Sequence, residues 1–112
     1  MDTSPKLRIA KERQDKINAV RPLAAAVAEI EQIAHDGATV EQLVKRLRNL
    51  AAMQDLVPIG AAGEKAIFDP ALHRLQWGDP KPGIPVFVIK PGYAFRYRDE
   101  VIVIDHALVA TD

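Results

Sequence analysis

The chain contains no cysteine and a single serine, Ser4. Without a thiol there can be no disulfide framework, no thiolate nucleophile and no cysteine-based metal site. With the one serine so near the start, nucleophilic catalysis on serine is disfavoured too. An excess of either charge is also lacking: 15 Lys and Arg balance 15 Asp and Glu. The chain therefore has no domain-wide basic footprint, and no nucleic-acid partner is expected. No apolar run approaches the ~18 residues needed to span a bilayer. The opening MDTSPKLRIAKER has no apolar signal core, so a cytoplasmic protein with no membrane partner is expected.

Motifs for metals and cofactors are missing as well. His35, His73 and His106 lie 38 and 33 residues apart and match no short metal-ligand spacing. GAAGE (60–64) lacks the Gly-Lys-Ser/Thr ending of a phosphate loop and a strand before it. His35 falls near a helix C-terminus, where a cation is favourable. In FDPALH (68–73) the spacing predicts a turn in which Asp69 caps residues starting at Pro70, with His73 on that turn. No catalytic residue, metal or cofactor is expected. A protein-binding module is the default.

What is present is a helical half followed by a β-prone half. At 112 residues, 48% of them hydrophobic, the chain can build one core, with or without a helical extension. Ser4-Pro5 reads as an N-cap followed by proline at the first helical position. Residues 6–21 hold six cations against Glu12 and Asp15, a net of +4, with only a thin stripe of Ala10, Ile17 and Val20. A basic helix can touch nucleic acid or an acidic partner, but no aromatic or Gly-rich element accompanies it, and a solvated helix is expected. Pro22 predicts a break or kink at Arg21.

Beyond it, Leu23, Ala26, Val27, Ile30, Ile33 and Ala34 fall on one helical face, ended at His35-Asp36-Gly37. Thr39 and Gln42 have capping-box spacing. Val40, Leu43, Val44, Leu47, Leu50 and Ala51 carry the next apolar face to about Gln54. Two such stripes leave one side of a core open. Either a second copy closes them as a four-helix bundle, through Leu23, Val27, Ile30, Leu43, Leu47 and Leu50, or they pack on the chain's own β unit.

Composition shifts after Gln54, where VPIGAAGEKAIFDP holds two prolines and two glycines. Residues 1–58 are assigned to the helical region and 59–112 to a small antiparallel β domain, giving an α+β class. Strands are expected at Ala66–Phe68, Pro85–Lys90, Ala94–Tyr97, Val101–Ile104 and Ala107–Ala110, with WGDPKPG (77–83) as a loop. Tyr93, Phe95 and Tyr97 alternate on one strand face, as core or as a binding patch, with core preferred. Pro91-Gly92 predicts a turn with Gly92 at positive φ.

The run GEKAIFDPALH (63–73), then Pro82-Gly83, KPGY (90–93) and HALV (106–109), resembles the C-terminal half of the GrpE nucleotide exchange factors. The helical hairpin before it resembles the family's bundle helices, so the likeness covers about residues 17–112. It implies a homodimer that binds the nucleotide-binding domain of a DnaK-type chaperone ATPase. Each subunit would end in a β domain that favours the open, ADP-free state, without covalent chemistry. Two departures stand out. The family's long N-terminal helix is reduced to residues 5–20 or so. The hairpin AFRYRDEVIVID is longer, with Asp105 near the position of a family arginine. Arg96, Arg98, Asp99, Glu100 and Asp105 are the expected partner contacts. The alternative is a GrpE-like dimerisation or adaptor module without exchange activity.

Overall fold

The structure, a computed structural model, describes residues 4–79 and 81–111. The chain divides into two compact units, Met1–Leu50 and Ala51–Asp112. Among the described residues, two helices are followed by seven strands, which makes it an α+β protein.

Helix α1 (Pro5–His35) begins as the sequence predicts: the Leu7 amide donates to Ser4 Oγ at 3.2 Å, and Pro5 opens the first turn. The expected break at Arg21-Pro22 does not occur, and α1 runs 31 residues through Pro22. Pro22 lacks the amide that would bond the Asn18 carbonyl, a cost of about 3 kcal/mol in a helix interior. An exposed helix can hydrate that carbonyl, and no residue of α1 is buried. Favourable segments on either side then carry the helix across. At its end, the Gly37 amide donates to the Ala34 carbonyl and the Ala38 amide to the Ile33 carbonyl. Gly37 has φ 98°, so this is a Schellman cap on a left-handed glycine.

Helix α2 (Val40–Met53) is opened by the expected reciprocal box. Thr39 N–H donates to Gln42 Oε1 at 2.8 Å, and Gln42 N–H donates to Thr39 Oγ1 at 3.1 Å. Arg46 on α2 forks onto Glu29 on α1, with Nη2 donating to Oε1 at 2.9 Å and Nε to Oε2. That fork ties the two helices.

The second unit holds strands β1 (Leu56–Ile59), β2 (Lys65–Ile67), β3 (His73–Leu75), β4 (Pro85–Lys90), β5 (Gly92–Tyr97), β6 (Glu100–Asp105) and β7 (Ala107–Ala110). They form a three-stranded sheet, β1-β5-β6, and a four-stranded sheet, β2-β4-β7-β3. Buried residues of both sheets, Ile59 and Ala94 with Val86, Val88, Ala107 and Val109, meet with Phe68 in one core.

Three readings need correction. Strand β1 lies across the expected 58/59 boundary and pairs with β5, so its residues belong to the β unit. Pro58 fits there because β1 is an edge strand. The unit is not wholly antiparallel, since β3 pairs parallel with β7. Finally, Gly92 is an ordinary strand residue in φ; it is Gly83, after Pro82, that has positive φ, at 88°.

Candidate protein-interaction surface

The hairpin β5–β6 turns through Arg98-Asp99, with Tyr97 paired to Glu100. Arg98 adopts φ 55°, a conformation that non-glycine residues rarely take. Its guanidinium lies 5.4 Å from the centre of the Tyr97 ring, and Tyr97 stacks on Phe95 at 6.3 Å with planes 15° apart. Arg96, Arg98, Asp99 and Glu100 are all exposed and share this tip. Asp105 does not join them. It pairs with Tyr93 at the other end of β6, five residues or about 17 Å from Glu100. There it lines a shallow recess with Arg74, Lys90 and His106. Arg74 and Lys90 flank Leu108 from opposite sides of β7.

The aromatic residues of β5 are not core. Gly92 and Ala94 are buried, whereas Tyr93 and Phe95 are half-buried and Tyr97 is 53% exposed. Backbone crowding explains the inversion. A Cβ on Gly92 would fall 2.6 Å from the His106 carbonyl carbon and closer still to Asp105 O and Ala107 N. Only the small side of β5 can approach the β6–β7 junction, so the rings take the opposite face. Cross-strand register places Leu56, Pro58 and Ile102 beside them on that face. Sequence reasoning missed the exposed apolar residues of β6; their signal was the unbroken Val-Ile-Val-Ile run, which cannot all face one core.

The FDPALH turn forms as expected. Ala71 N–H donates to Asp69 Oδ1 at 2.9 Å, and His73 N–H donates to the Asp69 carbonyl at 2.8 Å. Pro70 opens the turn, and His73, which begins β3, is buried. Its Nδ1 accepts the Asp69 amide at 3.0 Å, so the ring is a structural acceptor, with Phe68 6.0 Å away.

On the helices, Leu23 is 66% exposed, Val27 and Leu47 are about half exposed, and Ile30, Leu43 and Leu50 are intermediate. Neither helix has a buried residue. The Arg46 hydrogen bonds hold the Glu29 carboxyl below its ordinary range, and partial desolvation opposes them. Among the described residues no group of His, Asp and Glu could hold a metal ion, and no helix is long and apolar enough to cross a membrane. No family model, curated protein or solved structure matches the chain.

Proposed function

We propose that this chain is a GrpE-like co-chaperone that binds a DnaK-type chaperone ATPase and promotes ADP release. The observation that carries the reading is the order of parts: a long helix that turns back into a second, neither with a buried residue, and then a small two-sheet β unit with an exposed, charged hairpin tip. The motifs behind the resemblance also have structural work in that unit. Asp69, Pro70 and His73 build a turn, and Gly92 allows β5 to approach the β6–β7 junction. Preferential binding to the nucleotide-free ATPase would shift its population toward the open state, so no reacting group is required.

A second reading is favoured by Asp105. It is displaced from the tip and carries negative charge near the position of a family arginine. Like-charge contacts with an acidic surface disfavour that partner, which suits an adaptor with a different target.

Release of a fluorescent ADP analogue from the DnaK-type ATPase of the same cell separates the two. Under the first reading the wild type accelerates release and Arg98→Glu does not, while the variant's melting falls only slightly. Loss of one member of a desolvated interfacial charge pair costs about 2–5 kcal/mol of binding, whereas loss of the exposed Arg98–Tyr97 contact costs only about 0.5–1 kcal/mol of stability. If wild type leaves release unchanged, the adaptor reading takes over.

A further inference from the structure

Strand β6 is the last strand of its sheet, and among the described residues no strand pairs with its outer edge. It is six residues long, and Val101, Ile102 and Ile104 are 61%, 47% and 53% exposed. Monomers usually shorten, cover or charge such an edge, because its unpaired amides and carbonyls template another strand. Here the charge sits only at the two ends, as Glu100 and Asp105, with Asp99 beside the first.

We propose that the β6 edge is a docking site for an extended peptide segment of a partner, apolar at alternate positions and basic at both ends, which adds a fourth strand to the sheet. Backbone ladder bonds supply sequence-tolerant affinity, and the ends select charge. The charges also argue against a second copy as occupant. Full antiparallel self-pairing sets Glu100 opposite Asp105 at both ends, and parallel pairing stacks each carboxylate on its own copy. Like charges directly opposite destabilise a pair of strands. At the Glu100 end, the tip cation Arg98 is directed elsewhere, over Tyr97 on the neighbouring strand. A basic-ended strand meets opposite charge at each end and covers Ile102, with Phe95 and Tyr97 extending the apolar face behind it.

The site is testable without any chaperone. The probe is a fluorescein-labelled Lys-Val-Thr-Val-Thr-Lys peptide, whose six residues match β6, titrated into the full chain by anisotropy, beside the same centre with glutamate ends and a version with proline at the second valine. The basic-ended peptide should bind about 3- to 10-fold tighter than the acid-ended one, a preference that two cross-strand charge pairs supply. It should weaken with added salt and protect β6 amides from hydrogen exchange. Glu100→Gln with Asp105→Asn, which keeps shape, should abolish the preference, and Glu100→Lys with Asp105→Lys should reverse it. Equal binding of both ends, undiminished binding of the proline peptide, or β6 protection that depends on chain concentration alone would each overturn the proposal.

Discussion

Gly92 shows how one residue can be essential for a reason its neighbours do not announce. A proline before it suggests a turn glycine, yet its backbone has no positive φ, and the constraint is contact with backbone at residues 105–107. That difference alters what mutation should do. A turn glycine replaced by alanine suffers mainly conformational strain, whereas here even one methyl must push two strands apart. Overpacking of this kind typically costs 1–3 kcal/mol. Gly92→Ala should therefore lower the denaturation midpoint of the β unit by that order, and Gly92→Val by more. Unchanged midpoints would show that the β6–β7 junction yields. His73 is the opposite case: the FDPALH spacing foretold its turn, because Asp69 acts through atoms two to four residues away.

Elements with local determinants were legible in this way. The Ser4 cap, the Thr39–Gln42 box and the Gly37 end are each fixed within about five residues, and all three appear. Pro22 was misread because its local penalty is outweighed by the helix on either side. Strands β1 and β3 were missed because each is short and pairs only with a distant strand. The polar tip was visible as a charge cluster, but the separation of Asp105 from it depends on the length of β6. Between the helices, the Glu29–Arg46 fork leaves a pH signature. Because the folded carboxyl titrates below its unfolded value, the stabilisation is present above about pH 4–5 and lost as pH falls through the lowered folded value. Glu29→Gln should thus be less stable than wild type at neutral pH, and the gap should close in acid. A gap equal at both pH values, in denaturation followed by circular dichroism, would mean that charge contributes nothing.

For the molecule as a whole, the apolar helical faces need an answer that one chain does not provide. Leu23, Val27, Val44 and Leu47 remain about half exposed or more. If two copies cover these faces, Ile30→Asp or Leu47→Asp would bury an unpaired charge and yield monomer or unfolded chain. Sedimentation of wild type at tens of micromolar should give a dimer; a monomer there would refute it. The strand order carries another consequence. The first three strands never pair with each other: β1 joins β5, β2 joins β4, and β3 joins β7. Every one of those ladders crosses the Gly- and Pro-rich connection between β3 and β4. The β unit is thus built like a zip, with one row of teeth on each side of a single link. Severing that link should leave the halves interlocked. Fragments 1–79 and 80–112, produced separately and mixed, should recover the strand signal that the first fragment lacks alone, and fragments that stay apart would mean the link itself holds the rows in register.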